Sequence, residues 1–437
     1  MIFLKLNLNI LQLMNNRIVR SYSVLLVVLV LHEPFTFAQN NRQADKSIVA
    51  FVNATIYPSP ADSAIQNGIV LIENERIIAL GRKSQVRIPK NASIIDCKGF
   101  VITAGFWNSH VHFIDTRIAN ANRLSDNELS DYLQMFLTKY GFTYAFDIGS
   151  FPENTHNIKQ RIQGDSVFGP FILSTGMPLT SENGTPFYLK AINITLPELT
   201  SPGMATSMVD QYLSSGLDGI KIFTGSPVEQ GKKEKILPLE IAKAVTSATH
   251  KWNKPVFAHP SVNEGIQVAI ASGVDILAHT TPDGGKAWDS LMVQQMVAND
   301  IYLIPTLKLW KWVLLNDKLS PQKIESFVGV AIEQVKKFKA AGGKLLFGTD
   351  IGFVDDFDPT DEYVYLQKAG LNFRQILAML TSTPSERFGF SNQFGKIAIG
   401  MNADLVVFEG DPQLDIKALA NVKYTVSKGK VIYNGVQ

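Results

Sequence analysis

The chain has 437 residues, 46% of them apolar and 18% charged, which is typical of a globular protein with a large core and excludes a largely disordered one. Its 41 Lys and Arg residues nearly balance its 39 Asp and Glu residues, without a basic cluster, so we expect no nucleic-acid partner. The single cysteine, Cys97, excludes an intramolecular disulfide and a Cys-rich zinc module.

The first 38 residues predict a secretory signal peptide. Arg17 and Arg20 precede an apolar run of 11 residues, and small residues at Thr36 and Ala38 suit cleavage after Ala38. A spanning helix needs about 20 residues, so we expect no stable membrane insertion. The sequence therefore predicts export to the periplasm or the extracellular space, with either Met1 or Met14 as the start. Residues 39–47 are interpreted as a polar linker.

Both ends of the remaining chain predict strands. Residues 48–100 contain short apolar runs broken by turns, in SIVAFVNATIYP, GIVLIENERIIALG and SIIDCKGFVITAG. Residues 391–437 repeat this pattern in GKIAIGMNADLVVFEG and NVKYTVSKGKVIYNG. Neither end has enough apolar residues for its own core, so we expect the two to pack as one composite β-sandwich.

Residues 101–390 alternate between strand and helix patterns. Eight strand-like runs occur: FVITAGF, FTYAFDIG, PFILSTG, GIKIFTG, PVFAHP, DILAHTT, IYLIPT and KLLFGTD. Helical patterns separate most of them, and such alternation predicts parallel strands in an α/β fold. Eight units predict a closed (β/α)8 TIM barrel. A doubly wound open sheet is the alternative, but no G-x-G-x-x-G motif follows the first strand.

Four histidines lie at the carboxyl ends of predicted barrel strands: His110, His112, His259 and His279. TIM-barrel active sites form at this face, because the βα loops converge there. His110 and His112 are two residues apart, so on an extended strand both project to the same side. The spacing predicts that both imidazoles can bind one cation.

Two further charged residues extend this cluster. Asp350 ends the eighth strand, which adjoins the first in a closed barrel, and a carboxylate there is costly unless it is paired or bound to a metal. A helix N-cap is the alternative role for it. Lys221 lies in the apolar strand GIKIF, and alternation directs it into the barrel. Burial lowers the pKa of a lysine and yields an amine that can add CO₂ to form a carbamate. A buried ion pair is the alternative.

Together these residues resemble the ligand set of the amidohydrolase superfamily. Ala104-Gly105-Phe106 and the segment GKIAIGMNADLVV, residues 395–407, also resemble that family's segments around the barrel. GIKIFTG and LAHTTP are similar to the branch of imidazolonepropionase-related enzymes and metal-dependent Xaa-Pro dipeptidases. Trp107-Asn108 departs from the family pattern, where isoleucine or leucine followed by aspartate is common.

The resemblance implies a two-zinc site, although other divalent metals also suit these ligands. His110, His112 and Asp350 would hold one ion, His259 and His279 the other, with carboxylated Lys221 and a hydroxide between them. The implied reaction is hydrolysis of a C–N bond in a small-molecule amide, cyclic amide or dipeptide by a metal-activated hydroxide. Asp350 is the predicted catalytic residue, because it would move the proton of the attacking hydroxide to the leaving amine.

Other functions remain open from the sequence. A mononuclear cyclic-amide hydrolase or deaminase on the same scaffold is one alternative, and a catalytically inactive binding relative is another. Asp115 and Arg117 after the first strand, and Trp310 and Trp312 in an aromatic segment interpreted as a loop after the seventh, are candidate substrate contacts. The oligomeric state is open between a monomer and a homo-oligomer.

Overall fold

The short apolar runs near the start of the chain form strands, as predicted. These are β1 (Ile48–Ile56), β2 (Ile65–Glu73), β3 (Arg76–Arg82), β4 (Ser93–Asp96) and β5 (Phe100–Ala104). The computed structural model describes residues 48–282 and 285–435. The predicted signal peptide and the linker at residues 39–47 lie outside the described residues.

Strands and helices alternate through the middle of the chain. The strands are β6 (Phe106–Val111), β7 (Phe142–Asp147), β8 (Phe171–Ser174), β9 (Thr180–Ser181), β10 (Glu198–Leu199), β11 (Ile220–Phe223), β12 (Gly225–Ser226), β13 (Lys235–Ile236), β14 (Val256–His259), β15 (Ile276–Ala278), β16 (Tyr302–Ile304) and β17 (Lys344–Leu345). The helices are α1 (Asp126–Phe136), α2 (Pro152–Gln163), α3 (Phe187–Lys190), α4 (Pro202–Ser214), α5 (Leu239–Lys251), α6 (Asn263–Ser272), α7 (Ser290–Ala298), α8 (Leu307–Asn316), α9 (Pro321–Ala340), α10 (Thr360–Lys368), α11 (Phe373–Leu380) and α12 (Ser382–Arg387). Three strands follow them: β18 (Leu405–Glu409), β19 (Val422–Ser427) and β20 (Lys430–Asn434).

Strands from both ends of the described chain share one eight-stranded sheet. Its order is β20-β19-β18-β5-β1-β2-β3, with β4 paired to β1. The run FVITAGF, predicted as one strand, is divided: β5 belongs to this sheet, and the parallel strands begin with β6. Gly105 lies between them, where an added Cβ would stand 2.0 Å from the Thr143 hydroxyl oxygen. The missing side chain therefore lets the chain cross from one sheet to the next.

Eight strands of the middle region form two parallel sheets, β6-β7-β8 and β11-β14-β15-β16-β17. Every residue of β6, β7 and β11 is buried, as expected where helices cover a parallel sheet. Backbone hydrogen bonds also cross both gaps between the sheets. Leu179 N donates to Lys221 O at 2.8 Å, and Ser109 N donates to Phe347 O at 2.7 Å.

The interpretation of the aromatic segment after the seventh strand as a loop is wrong, because residues 307–316 form helix α8. Leu307, Trp310 and Leu314 recur at helical spacing, and Leu307 and Leu314 are buried. Within residues 48–282 and 285–435, we find no helix with the length and apolar character needed to cross a bilayer.

A buried carboxylate anchors the start of α8. Glu362, in the first turn of α10, is 0% exposed and accepts a hydrogen bond from Lys308 N at 2.8 Å. The Lys308 ammonium donates to the carbonyl oxygens of Asp356 (2.7 Å) and Asp358 (2.6 Å). The segment that follows Asp350 is thereby tied to α8. Burial raises the pKa of Glu362 to about 7, although the hydrogen bond from Lys308 opposes the shift.

We expect the variant Glu362→Gln to be more stable than the wild type at pH 8 but not at pH 5. The pKa of Glu362 is higher in the folded protein than its ordinary value of 4.5, so the stability it contributes is present below pH 4.5 and lost as the pH rises through about 7. The free energy of unfolding lost in this way is on the order of 3 kcal/mol. Thermal unfolding of the wild type and the variant between pH 5 and pH 8 measures this difference in stability. A difference that does not change with pH would contradict the prediction.

Candidate active site

The His-x-His pair lies at the carboxyl end of β6. Nε2 of His110 and Nε2 of His112 are 3.2 Å apart, as the spacing predicts. Nδ1 of His112 lies 3.0 Å from the carbonyl oxygen of Gly149, which can only accept. Nδ1 therefore carries a proton, and Nε2 is the ring nitrogen that faces Asp350.

Asp350 reaches the same point from the adjacent strand. Its Oδ1 lies 3.1 Å from Nε2 of His110 and 2.9 Å from Nε2 of His112. Its backbone is left-handed (φ 59°), and its N–H donates to His110 O at 2.9 Å. Burial raises the pKa of the Asp350 carboxyl, but His110 and His112 outweigh this and hold that pKa well below its usual range. The group is therefore a carboxylate.

His259 and His279 extend the cluster along the neighbouring strands. The ring centroid of His279 lies 4.6 Å from that of His110 and 4.6 Å from that of His259. Phe223 stacks on the His259 ring, with centroids 4.5 Å apart. Burial lowers the pKa of both imidazoles well below the usual value, so both are neutral. Neutral imidazoles are suitable metal ligands.

Lys221 lies on β11, in register with Phe257 of β14. Its side chain is buried (2% exposed), and burial lowers the pKa of its ammonium to about 7 although Asp350 opposes the shift. A positive charge on Lys221 also lowers the pKa values of His110, His259 and His279. The lysine thus lies in the electrostatic field of the same cluster.

Five of the six sequence-predicted site residues therefore lie around one point: His110, His112, His259, His279 and Asp350. The charge of the sixth, Lys221, acts on the same cluster. Ligand atoms of His110, His279 and Asp350 lie within 4.8 Å of one another, close enough to hold one metal ion. Two imidazole nitrogens and Oδ1 of Asp350 meet within 3.2 Å, yet this oxygen is buried without a hydrogen-bond partner among the described residues. A cation at this point would give these atoms a shared partner, so the donor set fits a metal.

Residues that sequence reasoning missed support this cluster. Asp147, 0% exposed at the end of β7, accepts hydrogen bonds from Ser150 Oγ and Thr155 Oγ1, both at 2.6 Å. These bonds hold the turn whose Gly149 carbonyl orients His112. Asn108, the departure from the family pattern, donates to Thr349 Oγ1 at 2.7 Å and links β6 to the segment between β17 and Asp350. In the sequence, these two residues are marked only as polar residues inside otherwise apolar strands.

Aromatic side chains line the rim beside Asp350. The Phe353 ring contacts that of Tyr188 (centroids 5.3 Å apart) and that of Trp312 (5.7 Å). Trp312 also donates its indole N–H to Asp355 at 2.6 Å. Trp310 instead donates to Thr280 at 2.8 Å and packs against α9. Of the two tryptophans proposed as substrate contacts, only Trp312 joins this aromatic rim.

The other predicted substrate contacts, Asp115 and Arg117, bind each other. Nε and Nη2 of Arg117 lie 2.8 Å and 2.6 Å from the two Asp115 carboxylate oxygens. The guanidinium also lies 4.7 Å from the centroid of the Phe357 ring. Each charge is thus neutralised within the protein.

We expect Gly352→Ala to destabilise the protein by about 3 kcal/mol or more. Gly352 has φ +99°, and an added Cβ would stand 1.8 Å from the carbonyl oxygen of His112, a backbone atom that cannot move alone. Gly370→Ala is the matched control, because Gly370 has φ +84° but nothing within 4 Å of an added Cβ. Thermal unfolding compares the two variants, and equal losses would show that backbone conformation alone is responsible.

Comparison with known proteins completes the description. A family model for the amidohydrolase family matches residues 101–432. A Xaa-Pro dipeptidase with bound methionine is similar, with a TM-score of 0.75 and 23% identity, covering 89% of this chain and 100% of that one. Also similar is a putative prolidase from Bifidobacterium longum, with a TM-score of 0.73 and 21% identity, covering 89% of this chain and 95% of that one. An A. niger ochratoxinase has a TM-score of 0.72 and 17% identity, covering 90% of this chain and 97% of that one. These structural likenesses concern the fold. No curated protein matches the sequence.

Proposed function

Because this chain is an enzyme of the amidohydrolase family, we propose that it hydrolyses a C–N bond of a small-molecule amide or dipeptide at a two-metal centre. The observation that carries the proposal is the meeting of four imidazoles and a buried carboxylate at one point. A buried lysine, Lys221, is electrostatically coupled to this cluster. The proposed metal ligands are His110, His112, Lys221, His259, His279 and Asp350.

The fold supports this proposal. We infer that the two parallel sheets form one (β/α)8 barrel, since backbone hydrogen bonds cross both gaps between them. We further infer that residues 48–100 and 391–437 build one satellite domain around the eight-stranded sheet. In such a barrel the six site residues would occupy the face where the active sites of TIM barrels lie.

The donor set suits zinc, and other divalent metals also fit it. His110, His112 and Asp350 would hold one ion and His259 and His279 the other, with carboxylated Lys221 between the two. Zinc bound there would lower the pKa of water and polarise the scissile carbonyl. The pKa of Lys221, about 7, leaves a substantial fraction of neutral amine at neutral pH. Addition of this amine to CO₂ forms one N–C bond, releases one proton and yields the anionic carbamate.

Asp350 is the residue that we propose moves protons. Its carboxylate is ionised and buried at the centre of the cluster. It would accept the proton of the attacking water and transfer it to the leaving nitrogen. Imidazoles that hold metal ions would have their lone pairs engaged and would not accept this proton.

The aromatic rim suggests the kind of substrate. Tyr188, Phe353 and Trp312 form a half-buried apolar wall next to Asp350. Such a wall favours an apolar or aromatic group beside the scissile bond. The similar structures, described as an Xaa-Pro dipeptidase and an ochratoxinase, are consistent with amide substrates.

Screening the zinc-loaded protein against dipeptides, N-acyl amino acids and cyclic amides tests the proposal. We expect hydrolysis of amides with a large apolar group and two metal ions per chain in elemental analysis. One ion per chain would favour the mononuclear hydrolase, and ammonia release from ring amines would favour a deaminase. A metal-loaded protein inactive on every amide would contradict the proposal.

We also propose that the enzyme is exported. The charged and apolar segments before Ala38 support this. N-terminal sequencing of the mature protein should begin at Gln39, and an intact Met1 would contradict it.

A further inference from the structure

Thr306 has an unusual backbone at the end of β16. Its φ and ψ are 46° and 49°, the left-handed region, and the residue is 0% exposed. Within residues 48–282 and 285–435 it is the only β-branched residue with a positive φ. For a β-branched side chain this conformation is strained, and such strain persists where the surrounding structure enforces it.

The Thr306 hydroxyl fixes the protonation of His279. Its oxygen lies 2.9 Å from the carbonyl oxygen of Pro305, an atom that can only accept, so we assign the one hydroxyl proton to this bond. Towards Nδ1 of His279, 2.7 Å away, it can therefore only accept. Nδ1 of His279 must then carry the ring proton, which leaves the lone pair of the neutral ring on Nε2.

His279 differs from the other two imidazoles near Asp350, His110 and His112, in what contacts its Nδ1. Nδ1 of His112 is held by the backbone carbonyl of Gly149. Nδ1 of His110 has no hydrogen-bond partner among the described residues. The tautomer of His279 alone among these three depends on a side chain, which substitution can remove.

We propose that Thr306 is a positioning residue that holds His279 in the tautomer and orientation needed to bind a metal ion. The inference rests on the proposed metal centre. The strained backbone of Thr306 is the conformation that places its hydroxyl between Pro305 O and the imidazole. Hydrogen-bond partners of this kind orient metal-binding histidines, and their loss typically weakens metal binding by about 10- to 100-fold.

Two substitutions of Thr306, to glycine and to serine, test the proposal. Glycine and serine both tolerate a left-handed backbone more readily than threonine. Thr306→Gly removes the hydroxyl and should weaken zinc binding about 10- to 100-fold in competition with a chelator. Thr306→Ser keeps the hydroxyl and should stay within about threefold of the wild type. Thr246→Val is the control, since Thr246 is also buried and donates to Ser272 O at 2.6 Å. It should lower the thermal midpoint of the metal-free protein without changing zinc affinity.

The outcomes separate this inference from the proposed function. Weaker zinc binding in Thr306→Gly, with near-normal binding in Thr306→Ser, supports a positioning role. Equal zinc affinity in the wild type and both variants would overturn it and leave the metal centre intact. Equal weakening in both variants would also overturn it, because packing of the threonine methyl group would then be responsible. A wild type that binds no zinc would refute the proposed metal centre itself.

Discussion

Replacing Asp350 by Asn should lower turnover by about 10²- to 10⁴-fold while most of the bound metal is retained. Asparagine has nearly the same shape and can still offer one oxygen to a cation, but it cannot accept a proton. The Asp350 carboxylate is ionised and lies within 3.1 Å of two imidazole nitrogens, so its loss removes the proposed proton acceptor. Steady-state kinetics and elemental analysis of the same sample measure the two effects.

Glu362→Gln is the matched control for this experiment. Glu362 is another fully buried carboxylate, but it binds the backbone of α8 rather than the histidine cluster. Its amide variant should keep turnover within a few-fold of the wild type. Near-normal turnover in Asp350→Asn would remove Asp350 as the proton carrier, and loss of all metal would show that its main role is as a ligand.

Lys221→Ala should lose one of two bound metal ions and at least about 100-fold of turnover. The lysine is 2% exposed and its pKa is about 7, so an uncharged amine is available to form the carbamate. A short carboxylate such as acetate or propionate should restore part of the activity, because it can occupy the space of the carbamate. Carbon-13-labelled bicarbonate should give a carbamate signal in the wild type and none in the variant.

Lys308→Met is the control for the lysine. Lys308 is also 2% exposed, and burial also lowers the pKa of its ammonium, but it donates to the carbonyl oxygens of Asp356 and Asp358. We expect its variant to lose stability but keep both metal ions, without a response to acetate. If the wild type contains one ion per chain, or if Lys221→Ala keeps two, the bridging role of Lys221 is wrong.

The arrangement of the site could be predicted because its residues mark the ends of strands. An apolar run followed by histidine or aspartate is visible in sequence, and parallel strands bring such ends together. His110, His259 and Asp350 are 240 positions apart at most, yet each lies at or after the carboxyl end of a parallel strand. Their roles as metal ligands stay predictions, but their meeting point is observed.

Other parts depend on contacts that no local pattern shows. Thr306 also follows a buried strand, but threonine is common there, and only its left-handed backbone and its contact with His279 distinguish it. The wall of Tyr188, Phe353 and Trp312 arises from three segments far apart in sequence. The two tryptophans of α8 favour the interpretation as a loop, although Leu307, Trp310 and Leu314 recur at helical spacing.

The position of β5 has a consequence for how the protein is made. Ala104 in β5 lies opposite Leu405 in β18, although 300 residues separate the two in the chain. During synthesis, one edge of β5 must stay unpaired until β18 has left the ribosome. Unpaired edges of this kind readily join other chains. Nascent chains truncated before Leu405 should therefore depend most strongly on chaperones.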